Sequence, residues 1–205
     1  MPPKGKSDGS RAPLSLRERN RLRTRQELLD AALEVFAESG YGSATVDSIA
    51  ARAGTSKVTL YAYFPQGREE LFRELYEQIN NELIAKATEI YDTDGHFNAR
   101  ILALTEALMS IGERPLVGRF YSIDDPALDT ALNPVRGHAS RVIADLIAKD
   151  LESERQLRLL RTTAAPAAIA ELLVGAMRSG LSQVAKGRTP SGEILHAMEA
   201  LVSGL

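Results

Sequence analysis

The side chains best suited to chemistry in this 205-residue sequence are cations and hydroxyls near its start, where they can meet phosphate. Residues 1–25 hold Lys4, Lys6, Arg11, Arg17, Arg19, Arg21, Arg23 and Arg25 against Asp8 and Glu18, a local balance of +6; the whole chain carries −2, so the remaining 180 residues carry −8. A basic arm beside an acidic body suits a chain that binds a polyanion and still stays soluble. A solvated charged tail has the same composition. Nucleophilic and metal chemistry find little support. There is no cysteine, and the three histidines, His96, His138 and His196, lie far apart. No P-loop, dinucleotide fingerprint, HExxH or GxSxG pattern occurs. Asp124, Asp125 and Asp129 are near neighbours, but Asp-Asp-Pro is a common turn and helix-start combination. We therefore expect no metal, no cofactor and no catalysis.

The segment downstream of the arm decides between its two readings. Thr45 to Phe64 packs two short helical patterns around one glycine. Thr45 is a good N-cap; Val46, Ile49, Ala50 and Ala53 then recur at helical spacing, and Gly54 sits where a C-terminal cap belongs. The second pattern opens at Ser56, carries Leu60 and Phe64 at i and i+4, and stops at Pro65, which pushes Phe64 out of the helical region. Two helices of two turns each cannot fold alone. They fit a helix-turn-helix that presents its second helix to a DNA groove.

At about 100° per residue, Leu60 and Phe64 point inward while Val58 and Ala62 lie opposite, with Thr59 and Tyr61 on the flanks. Val58, Ala62 and the Thr59 methyl suit thymine methyl groups. Lys57, in the first turn, has the strongest polar capacity to reach a base edge or a phosphate. Thr45 and Ser56 stand at helix N-termini, where free N–H groups attract phosphate, and capping and phosphate contact are compatible. Tyr61 and Tyr63 are further phosphate candidates, although Tyr63 leans toward the buried side. Upstream, Ser15-x-x-Glu18 and Thr24-x-x-Glu27 both match the capping box, so the first helix can begin at either and then run to Gly40. An early start places Arg17, Arg21 and Arg25 on one face.

The rest reads as helix throughout, with no strand alternation, so the fold class is all-α. Arg68 to about Tyr91 is one long helix of about 36 Å, followed by a polar loop over 92–98. Helices are then expected over 99–112, 115–123 and 134–151, and from Pro166 and Pro190 onward. The last two, about 166–187 and 190–203, carry wide apolar stripes that suit either the chain's own core or a two-fold four-helix interface. No apolar run approaches the roughly 18 residues of a membrane span, and no signal-peptide core opens the chain. Without cysteine no disulfide framework is possible. The expected location is cytoplasmic.

The run TRQELLDAALEVFAESGYGSATVDSIAARAG, then TSKVTLYAYF and PQGREELF, resembles the TetR family of transcriptional regulators, with residues 59–64 as the most specific piece. The resemblance implies an Ω-shaped homodimer that binds a double-stranded DNA operator through amino-terminal heads and is released by a small effector held in the larger domain. Residues 1–14, rich in Gly, Pro, Ser and Lys, read as a disordered basic arm; the resemblance implies a helix-turn-helix DNA-binding domain at 15–67 and a helical effector-binding and dimerisation domain at 68–205. That family often has a phosphate-contacting lysine where this chain has Gly67, and Arg68 is the candidate replacement. Phe120, Tyr121, His138, Arg141 and Met177 are candidate pocket residues, being large or polar amid apolar helices. Their mixture suits a largely apolar ligand with a few polar contacts. Repression is the favoured mode, with activation by the same fold, or a helical interaction module without DNA, as the alternatives.

Overall fold

The computed structural model describes residues 15–125, 128, 132, 135, 137–157, 159 and 162–204. The expected basic arm at 1–14, and the positions of Asp129 and Pro134, lie outside them. Nine helices and no strand are present among the described residues: α1 Leu16–Ser43, α2 Val46–Arg52, α3 Lys57–Tyr63, α4 Arg68–Asp92, α5 Phe97–Glu113, α6 Pro115–Tyr121, α7 His138–Gln156, α8 Pro166–Ala185 and α9 Ser191–Val202.

The first of the two capping boxes starts α1. Ser15 Oγ accepts from the Glu18 N–H at 3.2 Å, and the Ser15 N–H donates to Glu18 Oε2 at 2.9 Å. The helix breaks at Gly40, whose φ of 75° only glycine adopts freely. The break turns Tyr41 into the core, where it stacks on Phe36 and meets Phe72 edge-on. Leu28, Leu29, Ala32, Ile49, Leu60, Phe64 and Leu71 are buried around this point. Three helices and the first turns of α4 thus share one core, which fixes α3 against α1.

Helix α4 continues into the second half. It packs on α5 and α7; α8 packs on α5 and α7, and α9 covers α5. Helix α6 lies between the halves, touching α1 on one side and α5 and α8 on the other. Three expected boundaries change, the first being α6, expected over 115–123, which ends at Tyr121. The helix expected over 134–151 begins only at His138 and extends to Gln156, because Gly137 before it sits in the left-handed region. The loop expected over 92–98 is shorter: Phe97 is buried and opens α5. No helix among the described residues is long and apolar enough to cross a membrane.

Candidate nucleic-acid interface and ligand cavity

Both short helices carry the caps their sequences suggest. Thr45 Oγ1 accepts from the Ser48 N–H at 3.0 Å, and Ser56 Oγ accepts from the Thr59 N–H at 3.1 Å. Between them Gly54, at φ 64°, closes α2 with two reversed bonds, Thr55 N–H to the Ala50 carbonyl and Gly54 N–H to that of Ala51. Helix α3 then divides as its wheel requires. Leu60 and Phe64 are fully buried, whereas Val58 is 81% exposed and Ala62 is exposed. An apolar side chain this exposed gains little burial energy, so packing does not account for Val58 at this position. Lys57 is exposed and pairs with Asp47 of α2 at 3.1 Å. A pair in open water is weak, and a phosphate or a guanine edge can displace it. Thr45, Ser56 and Tyr61 are exposed beside this face, Thr59 is half-buried, and Tyr63 is half-buried against the core.

Two of the cations expected at phosphates are otherwise engaged. Arg25 makes a two-pronged ion pair with Glu74 of α4, and its guanidinium lies 4.7 Å from the centre of the Phe64 ring. Hydrogen bonding to Glu74 raises its pKa further above the ordinary arginine value. It locks α1 to α4 rather than projecting toward DNA; Arg21, one turn earlier, is exposed. Arg68 also turns inward. Its Nη1 donates to the carbonyls of Ala44 at 2.8 Å, Tyr41 at 3.2 Å and Gly42 at 3.4 Å, and the guanidinium stacks over Tyr41 at 4.7 Å. It therefore caps the end of α1, with Nη1 of its guanidinium engaged by these carbonyls. Gly67 has its own reason: φ is 63°, and a Cβ there would come within 3.1 Å of the Tyr61 ring and 3.2 Å of Val46. Replacing Arg68 by alanine is expected to cost about 2 kcal/mol, the worth of charge-assisted bonds lost at half-buried carbonyls. Lysine at this position restores little, because a point charge cannot span three carbonyls. Thermal melts of both variants check this.

In the second half an open cleft of about 290 Å³ is lined by Tyr76, Tyr121, Ser122, Asp124, Arg178, Ser179 and Ser182, with apolar neighbours. A smaller compartment of about 30 Å³ adjoins it, walled by Leu83, Leu104, Leu108, Ile143, Val174 and Met177, and sharing Tyr121 and Arg178 with the cleft. Of the pocket candidates, Tyr121 and Met177 are brought here. Phe120 is not: it is fully buried between Phe36 and Phe72. His138 and Arg141 stand on the first turn of α7, outside both linings. Sequence reasoning missed Asn80 and Arg178. Asn80 interrupts the apolar stripe of α4 one turn after Tyr76, which was the available signal. It accepts from the Tyr121 hydroxyl at 2.8 Å and donates to the Val135 carbonyl at 3.3 Å. Burial holds the Tyr121 phenol well above its ordinary pKa, so it stays a donor.

Aromatic rings join the two sites. Phe36 and Tyr41 of the head contact Phe72 at 5.0 Å between centroids, Phe72 contacts Phe120 at 4.5 Å and Tyr76 at 6.4 Å, and Tyr76 stacks on Tyr121 at 4.8 Å. The consecutive side chains Phe120 and Tyr121 thus face opposite partners, one in the head's core and the other in the cavity.

Comparison with known proteins agrees with this geometry. Residues 28–75 match the family described as bacterial regulatory proteins, tetR family. Over 162 residues the chain is 30% identical to the HTH-type transcriptional activator FasR of Mycolicibacterium smegmatis, covering 75% of this chain and 70% of that one. It is 28% identical over 126 residues to the HTH-type transcriptional repressor LfrR of the same organism, covering 55% and 65% of the two chains. The solved structure of a TetR-like transcriptional regulator from Rhodococcus sp. RHA1 shares the fold at a TM-score of 0.71 and 24% identity, over 94% of this chain and 97% of that one. These relatives are transcriptional regulators, not enzymes. With its capped helix-turn-helix, the family match over residues 28–75 and 30% identity to FasR over most of both chains, the chain belongs to the tetR family and is a DNA-binding transcriptional regulator.

Proposed function

We propose that the protein is a ligand-responsive repressor. A homodimer joined through α8 and α9 sets two α3 helices on a palindromic operator, and a largely apolar small molecule bound in the helical half releases the DNA. In this reading residues 15–67 form the DNA-binding unit, 68–205 the effector and dimer unit, and 1–14 a basic arm. The observation that carries it is the back-to-back placement of Phe120 and Tyr121. A ligand that moves Tyr121 moves the ring next to it, and that ring is wedged between α1 and α4 of the head. Pairing of two chains is supported by Leu172 of α8 and Leu201 of α9, which are 75% and 60% exposed although their helices are otherwise packed. Activation is the second reading, favoured by the match to FasR.

On DNA, Lys57 supplies base discrimination, while Thr45, Ser56, Tyr61 and Arg21 position the phosphates and Val58, Thr59 and Ala62 meet the groove floor. Tyr63 adds at most an edge contact from its half-buried place. Lys57→Ala is expected to weaken operator binding about ten-fold or more and to relax preference at one base position per half-site. Binding titrations on operator variants at fixed salt check it; a uniform loss across all sequences would assign Lys57 to phosphate instead. Gel-shift assays in the presence and absence of bound effector test the repressor reading: release of the operator is expected, and tighter binding would favour activation.

A further inference from the structure

The chemistry of the effector can be narrowed, on the reading of the helical half as an effector domain. The inner compartment has apolar walls yet holds about 30 Å³, one water's share of the liquid, so nothing larger enters without a wall moving. The wall it shares with the open cleft is Tyr121 beside Arg178. Tyr121 is held there by its bond to Asn80 and its stack on Tyr76. Arg178 is the arginine of this half that lines both compartments. Arg100, Arg114 and Arg155 each hold a carboxylate, whereas the described residues offer no ion pair to Arg178, nor to Arg119 or Arg188, which lie outside both linings. Around Arg178 the cleft presents the hydroxyls of Ser179 and Ser182, while that of Ser122 donates to the Arg119 carbonyl at 3.1 Å. Asp124, the carboxylate on the same lining, is itself engaged.

A guanidinium that no described carboxylate neutralises, set among hydroxyl donors, favours an anion and repels a cation. Apolar walls behind it favour a hydrocarbon. We propose that the two compartments form one site for an amphiphile with an anionic head on an unbranched apolar tail. Arg178 takes the head in the outer cleft, and Tyr121 is the gate that the tail displaces to enter the inner compartment. A small inorganic anion satisfies only Arg178 and leaves the gate shut. A neutral chain gains the burial but not the anchor.

The test is calorimetric titration of the full chain, without DNA, with straight-chain monocarboxylates of eight to eighteen carbons below their micelle thresholds. Alcohols and trimethylammonium ions of the same lengths, and acetate, are the comparison arms. Carboxylates are expected to bind more tightly as the tail lengthens, with the ammonium series and acetate at least about ten-fold weaker. Arg178→Gln should weaken the carboxylates about ten-fold and leave the alcohols unchanged, while Arg178→Lys keeps most of the carboxylate affinity. Tyr121→Phe frees the gate from Asn80 and should tighten the longest tails about five-fold, with the shortest unaffected. Absence of carboxylate binding, equal binding of the ammonium series, or indifference to Arg178→Gln would overturn the assignment. Sedimentation of each variant reports whether the dimer persists, so a loss caused by assembly is read as such and counts against a head-group role. Failure here leaves DNA recognition standing, because no DNA is present; failure to find an operator leaves the titrations standing.

Discussion

Replacing Phe120 by alanine is expected to lower stability by about 3–5 kcal/mol, the range for deleting a fully buried phenyl ring. Phe120 contacts Phe36 and Phe72 at 6.0 and 4.5 Å between centroids and has no exposed surface, so the cavity left behind opens between head and helical half at once. For a chain of this size each kcal/mol moves the melting temperature by about 2–4 °C, and a drop on the order of 10 °C should be visible in a thermal melt tracked by circular dichroism. Phe120→Leu separates packing from communication. It fills most of the volume and should cost about 1.5 kcal/mol or less, but it removes the ring that meets Phe72. The leucine variant is expected to hold its operator and to respond weakly to effector. Full effector response in that variant would remove Phe120 from the coupling path.

The second large effect is expected at Gly118. A Cβ there would lie 2.4 Å from the Gly112 carbonyl oxygen and 2.9 Å from its carbon, both backbone atoms that no rotamer change can move aside. Gly118→Ala must part the end of α5 from α6, at a cost of about 3 kcal/mol or more for overpacking against fixed atoms. Since α6 carries Phe120 and Tyr121, the same shift should loosen the cavity and the head together. Gly192→Ala in α9 is the control. Nothing lies within 4 Å of a Cβ at that position, so the substitution should be neutral or stabilise by up to about 1 kcal/mol through helix propensity. Paired denaturant titrations decide it, and equal midpoints for the two variants would contradict the close α5–α6 crossing.

The head was legible in the sequence because its signals are local. Ser15 with Glu18, Thr45, Ser56 and Gly54 announce helix ends within three or four residues, and a helical wheel is enough to part Leu60 and Phe64 from Val58 and Ala62. The features that escaped depend on distant partners. Arg25 looks like one more cation of the arm until Glu74, 49 residues away, takes it, and Arg68 caps carbonyls 24 to 27 residues upstream. In the helical half, periodicity found the helices but could not separate a face toward a cavity from a face toward the core. Phe120 and Tyr121 are neighbours of similar chemistry with opposite destinations. Arg178 carried no local mark, since its distinction is its place on the wall shared by the cleft and the inner compartment.

The central claim is that α3 reads DNA with its outward face, and selection of bound sequences from random duplex DNA tests it most directly. The parent chain should enrich a two-fold symmetric site. Val58→Asp should lose that enrichment by at least about a hundred-fold in affinity, since a carboxylate would face bases and phosphates at the centre of the groove. Its melting temperature should change little, because Val58 is 81% exposed. Failure of the parent to enrich any symmetric site, or enrichment of the same site by Val58→Asp, would contradict the account.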